Sequence, residues 1–133
     1  MTHGFPIRVY YEDTDLAGIV YYANYLKFIE RGRSEWVRGL GVDQVALKRD
    51  HGIVFAVRRV EADYLKPARF DDELIVTTRL LMQTGARIVL AQEVLRDNQP
   101  LFAAQVTLVC LQESGAVARL PAEIRRKLAP DLH

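Results

Sequence analysis

The sequence predicts an α+β protein in which an antiparallel sheet packs against one long helix, on three observations. One segment, Tyr22 to Leu40, carries apolar or small residues at helical spacing. Four later segments alternate apolar and polar residues as half-buried strands do. The connections between the last three of them are short, which favours antiparallel hairpins. A chain of 133 residues suits a single domain, expected here over residues 1–133, and at that size roughly two thirds of the unfolded surface is buried. Half of the residues are hydrophobic and 26% are charged, which sets the chain apart from disordered sequences. The 18 basic and 17 acidic residues are interspersed. No basic stripe is available to neutralise a phosphate backbone, so nucleic acid is not an expected partner.

In chain order, the β-rich stretch Phe5 to Tyr11 leads into Glu12 to Gly18, an acidic segment without helical or strand period that reads as a loop. The long helix follows, with Tyr22, Tyr25, Leu26, Ile29, Gly32, Trp36 and Leu40 on one face and Lys27, Glu30, Arg31, Ser34, Glu35 and Arg38 on the other. Gly39 and Gly41 supply its stop. Gly32 lies on the apolar stripe, where glycine costs roughly 1 kcal/mol relative to alanine. Its place there predicts another backbone packed closely against the helix. A shorter helix, Asp43 to Arg49, takes Asp43 as its N-cap.

The strands are Ile53 to Leu65, Glu73 to Met82, Arg87 to Arg96 and Leu101 to Gln112, separated by turn-forming stretches at 66–72, 83–86 and 97–100. Alternation assigns Leu74, Val76, Thr78, Leu80 and Met82, and again Phe102, Ala104, Val106, Leu108 and Cys110, to helix-facing sides. In the first long strand the apolar phase switches from Ile53, Phe55 and Val57 to Val60, Ala62 and Tyr64, which predicts a bulge or a change of packing partner near Arg58. One long helix covers one sheet face, so the other needs a partner, an argument for a dimer. The tail Pro121 to Leu128 adds a terminal helix. Cys110, the lone cysteine, sits in an apolar run and reads as a buried thiol in a reducing compartment. The N-terminal segment has no apolar stretch of the signal-peptide kind, and no apolar run approaches the roughly 20 residues of a membrane span, so a cytoplasmic location is expected.

Chemistry concentrates in Asp13-Thr14-Asp15-Leu16-Ala17-Gly18-Ile19-Val20-Tyr21-Tyr22-Ala23-Asn24-Tyr25, two carboxylates in a loop that feeds the long helix. The first turn of a helix presents backbone N–H groups without acceptors, and aimed at a carbonyl oxygen they stabilise a developing oxyanion. A carboxylate just upstream can deprotonate a water or attack the carbonyl carbon itself. On spacing alone, loop and capping roles for both aspartates are the better reading. His3, His51 and His133 are scattered without metal-ligand spacing, so no metal site is expected. Ser34 lacks a nucleophile elbow, Cys110 lacks a basic neighbour, and Glu30 and Glu35 read as ion-pairing partners of nearby arginines.

This segment resembles the signature of the 4-hydroxybenzoyl-CoA thioesterase family: Asp-x-Asp-x-x-Gly, two aliphatic residues, aromatic residues, then Asn-Tyr. Phe28 to Glu35, Phe55 to Val60 and Tyr64 to Asp72 are similar to the Tol-Pal-associated acyl-CoA thioesterase branch, so the resemblance runs from Ile7 to Leu111. It implies a hot-dog fold, an antiparallel sheet wrapped around the long helix, and hydrolysis of an acyl-CoA to free acid and coenzyme A. By the same resemblance Asp15 is the catalytic carboxylate and the Tyr22 N–H polarises the thioester carbonyl, while Asp13, Gly18, Asn24 and Tyr25 support the substrate around them. Tyr22 replaces a histidine common in that branch, which leaves water activation to Asp15. Coenzyme A is part of the substrate and no separate cofactor is implied. Its phosphates call for basic residues, for which Arg58, Arg59, Lys66, Arg69 and Arg87 are candidates. Each taken singly reads better as a solvated charge, and Arg59 alternates with Glu61 and Asp63 on one strand face. The family also implies homodimers or homotetramers with sites at subunit interfaces. A non-catalytic module that binds acyl groups or an acyl carrier protein is the alternative, and a hydratase is disfavoured because the signature holds no histidine.

Overall fold

The computed structural model describes residues 2–130; His133 lies outside them. Five strands, β1 (Thr2–Arg8), β2 (Ile53–Tyr64), β3 (Glu73–Gln83), β4 (Arg87–Arg96) and β5 (Gln99–Gln112), form one antiparallel sheet in the order β1-β3-β4-β5-β2. Its edges are therefore β1 and β2. The helix α1 (Asn24–Gly39) lies across β1, β3 and β4, followed by α2 (Gln44–His51), and α3 (Ala122–Leu128) closes the chain's described part. Phe28, Ile29, Trp36 and Val37 of α1 meet Leu74, Val76, Leu90, Val94, Phe102 and Val106 of the sheet in one buried core. Every one of Phe102, Ala104, Val106, Leu108 and Cys110 is buried, as the alternation predicts.

The phase switch in β2 is a bulge. The register passes from Val57 opposite Leu108 to Arg59 opposite Thr107, leaving Arg58 unpaired. A second bulge at Leu81, between Leu80 and Met82, corrects the β3 pattern: Leu74, Val76 and Thr78 are buried under α1, but Met82 is turned out and exposed. The turn before β5 is also shorter than 97–100. Asp97 and Asn98 take φ of 51° and 64°, a two-residue hairpin connection, so β5 begins at Gln99 and Pro100 lies in the strand opposite Leu95. At the N-terminus, β1 ends at Arg8 rather than Tyr11, because Val9 N–H bonds the Asp72 carbonyl and the chain then turns through a single 3₁₀ turn, Tyr11–Asp13.

Asp43 caps α2 as expected, accepting from Val45 and Ala46 N–H at 3.0 and 3.1 Å. The long helix begins at Asn24, two residues later than its apolar pattern indicates, with Ala23 at the N-cap position and no side-chain cap. Its buried stripe is Tyr25, Phe28, Ile29, Gly32, Trp36 and Val37, whereas Leu26 is exposed, as is Tyr22, which lies beside Tyr64 at the end of β2. Buried Gln92 on β4 ties the helix down, donating to the Ile29 carbonyl and the Thr78 hydroxyl, each at 2.9 Å.

Gly32 packs against a side chain rather than a backbone. A methyl group there would overlap Val76 Cγ1 and lie 3.0 Å from Val76 Cβ. Gly32→Ala therefore sets about 1 kcal/mol of helix propensity against about 1–3 kcal/mol of overpacking in a core that cannot give way. The expected result is a net loss of stability in urea unfolding, larger for Gly32→Val; a stabilised Gly32→Ala would show that α1 is free to lift from β3.

Candidate active site

Residues 13–22 form a narrow hairpin. Tyr21 N–H donates to the Asp13 carbonyl and Asp15 N–H to the Ile19 carbonyl, both at 2.9 Å, and Thr14 pairs with Val20. Gly18, at φ 78°, lets the tip close and sends its N–H to the Asp15 carbonyl at 3.0 Å. The hairpin is pinned to the 66–72 loop: Val20 N–H bonds the Ala68 carbonyl at 2.8 Å and Ile19 bridges to Arg69.

The two aspartates differ in what their carboxylates do. Asp13 is buried; its Oδ2 accepts from Tyr10 N–H at 2.8 Å, and its carbonyl also accepts from Asn24 Nδ2 at 2.9 Å. It fastens the chain's entry into the hairpin to the start of α1. Asp15 is exposed at the tip's shoulder. Its Oδ1 accepts from Ala17 N–H at 2.9 Å, which orients the side chain, and its Oδ2 has no partner among the described residues.

Tyr22 lies in the turn that precedes α1, not in the first helical turn. Asn24 N–H bonds the Tyr21 carbonyl at 2.8 Å. Across a trans peptide the N–H points opposite to the C=O, so the Tyr22 N–H is directed away from the helix, and it finds no acceptor among the described residues. The positive end of α1 stands directly behind it. Tyr25 is buried, and its hydroxyl accepts from Ala68 N–H at 3.0 Å, so it braces the 66–72 loop from below. Burial raises its pKa, which keeps it a neutral phenol.

The basic candidates are scattered. Arg69 lies beside Ile19, and Lys66, whose N–H bonds the Leu101 carbonyl, borders the same loop. Arg58 occupies the β2 bulge, and Arg59 pairs with Glu61 at 3.1 Å along its own strand, rather than across the sheet, where Thr107 stands opposite it. Arg87 opens β4, whereas the Asp15 side of the sheet is where β4 ends, at Arg96 pairing with Asp72 at 2.6 Å. Ten residues of strand, about 30 Å, separate those ends. Within one chain Arg87 and Asp15 are not brought together. Elsewhere, Glu35 pairs with Arg38 as expected, Glu30 accepts from the Ser34 hydroxyl rather than from an arginine, and burial pushes the Cys110 thiol up to about 11.

Two residues of this region escape sequence reasoning. Arg96 also donates to the Pro67 carbonyl at 3.4 Å and so props the 66–72 loop. Tyr64, at the end of β2, donates its hydroxyl to the Tyr22 carbonyl at 3.1 Å. The one available signal for Tyr64 was a polar-tipped aromatic closing an otherwise aliphatic phase.

Comparison with known proteins identifies relatives over most of the chain. The thioesterase-like superfamily matches residues 9–128. The chain is 41% identical over 107 residues to the acyl-CoA thioesterase YbgC of Haemophilus influenzae, covering 80% of this chain and 79% of that protein. The crystal structure of a probable thioesterase from Bartonella henselae superposes with a TM-score of 0.86 at 38% identity, over 91% of this chain and all of that one. A 4-hydroxybenzoyl CoA thioesterase complexed with 4-hydroxybenzoyl CoA shares the fold, at TM-score 0.89 and 20% identity over 96% of this chain and 98% of that one. No helix of the described residues is long and apolar enough to cross a membrane. The resemblance carried by the signature segment is thereby borne out, and the chain belongs to the thioesterase-like superfamily, as a thioester hydrolase of the hot-dog fold.

Proposed function

We propose that the chain hydrolyses an acyl-CoA thioester to the free acid and coenzyme A, with Asp15 as the catalytic carboxylate and the Tyr22 N–H as carbonyl-polarising donor. The observation that carries this reading is the pairing of an oriented carboxylate having one free oxygen with an unpartnered, outward-pointing N–H on the same braced hairpin. Relatives named acyl-CoA thioesterase and acyl-CoA thioester hydrolase, at 41% and 40% identity, support the substrate class. In the reaction the thioester oxygen accepts from the Tyr22 N–H at the positive end of α1. Charge developing on that oxygen then meets a dipole already in place. Asp15 either takes a proton from the attacking water or attacks the carbonyl carbon itself, giving an anhydride that water then hydrolyses to free acid and carboxylate; on either route the C–S bond breaks and coenzyme A leaves as its thiolate. Water and these groups suffice, without a metal or redox cofactor. A buried, unactivated Cys110 suits a reducing cytoplasm.

The working unit in this reading is a dimer. Strand β2 is an open edge of 12 residues, and Val57, Val60 and Tyr64 are exposed along its helix-facing side, with Leu26 and Tyr22 on the neighbouring flank. An unpaired, apolar edge of that length calls for a second strand. Antiparallel pairing of two β2 edges reverses the partner's sheet, so its far end, the partner's Arg87 included, comes to lie beside Asp15. Arg87 then joins Arg69 and Lys66 as a phosphate ligand, and the outer sheet face is left for pairing of dimers into a tetramer.

Incubation of the purified chain with aromatic, short-chain and long-chain acyl-CoAs is expected to release free thiol with at least one class. Binding of acyl-CoA or acyl carrier protein with no thiol release from any would instead favour a non-catalytic binding module.

A further inference from the structure

We infer that Tyr64 is a positioning residue of this site, its hydroxyl holding the peptide that follows Tyr22 and so fixing where the free N–H groups of the turn point. The inference deepens the function proposed above and rests on it. Tyr22 sits between two peptides, each anchored through its carbonyl. The first is held by Asn24 N–H on the Tyr21 carbonyl, at 2.8 Å, a bond internal to the start of the helix. The second is held by the Tyr64 hydroxyl on the Tyr22 carbonyl, at 3.1 Å, from the opposite edge strand of the sheet. Neither the Tyr22 nor the Ala23 N–H has an acceptor among the described residues, so these carbonyls are what set the plane of each peptide. Without the second anchor, the Tyr22–Ala23 peptide can rotate about its flanking bonds, which swings the Ala23 N–H directly and leaves the Tyr22 backbone, with its own N–H, held from one side only.

The anchor is itself well held. The Tyr64 ring packs edge-on against Phe102 at 5.0 Å, Tyr25 at 5.7 Å and Tyr22 at 6.0 Å. Phe102 and Tyr25 are buried, so the ring stands on core side chains while its hydroxyl reaches the turn. Burial, reinforced by Tyr22, raises the Tyr64 pKa, and the hydroxyl stays a donor at neutral pH. A lone hydrogen bond between neutral groups contributes little net to overall stability, so the bond to Tyr22 is not what holds the fold. Its effect falls on geometry, where a misplacement of about 1 Å costs up to about a hundredfold in rate.

Tyr64→Phe keeps the ring and its contacts and removes only the donor. With an acyl-CoA that the wild type hydrolyses, its kcat is expected to fall roughly tenfold to a hundredfold. KM should stay within about twofold and Tm should equal that of the wild type, because ground-state binding and packing are untouched. Tyr64→Leu, which also loses the ring contacts, should show the same kcat loss together with a lower Tm. Wild-type kcat in Tyr64→Phe, or a kcat loss accompanied by an equal rise in KM, overturns the positioning role while leaving the hydrolase reading in place. Failure of the wild type to release thiol from any acyl-CoA overturns both.

Discussion

Asp15→Asn should abolish nearly all thiol release, lowering kcat by about 10²–10⁴-fold, with a thermal unfolding curve that overlays the wild type. The two halves of that result have separate causes. Asparagine keeps an Oδ1 in the same place, so it still accepts from Ala17 N–H and the turn at the hairpin tip survives. Asp15 is exposed and holds no other partner among the described residues, so the fold loses nothing. What disappears is the oxygen proposed as base or nucleophile. The neighbouring carboxylate cannot substitute, because Asp13 is buried and its Oδ2 is committed to Tyr10 N–H. Parallel measurement of thiol release and Tm checks both halves, and turnover close to wild type in Asp15→Asn would remove Asp15 from the mechanism.

The difference between those two aspartates marks where the sequence stops being legible. Period alone is enough for part of the sheet: β5 alternates from Phe102 to Cys110, and the phase slip at Arg58, read as a bulge or a change of packing partner, is a bulge, where an extra residue reverses the faces. The Asp43 cap is legible for a similar reason, since the cap bond is local. The start of α1 is not. Tyr22 and Leu26 extend the apolar spacing past the residues that are buried, and both stay exposed instead of joining the core. Met82 fails for want of a local sign of the Leu81 bulge. Asp13 and Asp15 have the same residue type and nearly the same neighbours, and only the return of the chain at Tyr10 separates a brace from a free carboxylate. Tyr64 depends on a contact across 42 positions, which spacing cannot encode.

Arg87 poses the sharpest conflict between sequence and single-chain geometry, and it yields a test of the shared site. If the partner's Arg87 binds the coenzyme A phosphates beside Asp15, Arg87→Ala removes a charge-assisted contact worth about 1.5–3 kcal/mol and lowers kcat/KM by about 10–100-fold. Asp15→Asn is defective for a different reason, and the two lesions fall on different chains of each site. Co-refolding the two variants in equal amounts gives heterodimers as about half of all dimers by chance, and two-fold symmetry gives each of these one doubly altered site and one intact site. About a quarter of all sites are then wild type, so the mixture should recover about a quarter of wild-type kcat/KM, several times the mean of the two parents. Recovery requires that Asp15 and Arg87 come from different chains, because a site built within one chain leaves every heterodimer with two damaged sites. A mixture no more active than the parental mean, with subunit exchange verified by mass, would return Arg87 to the solvent and leave Lys66 and Arg69 as the phosphate ligands.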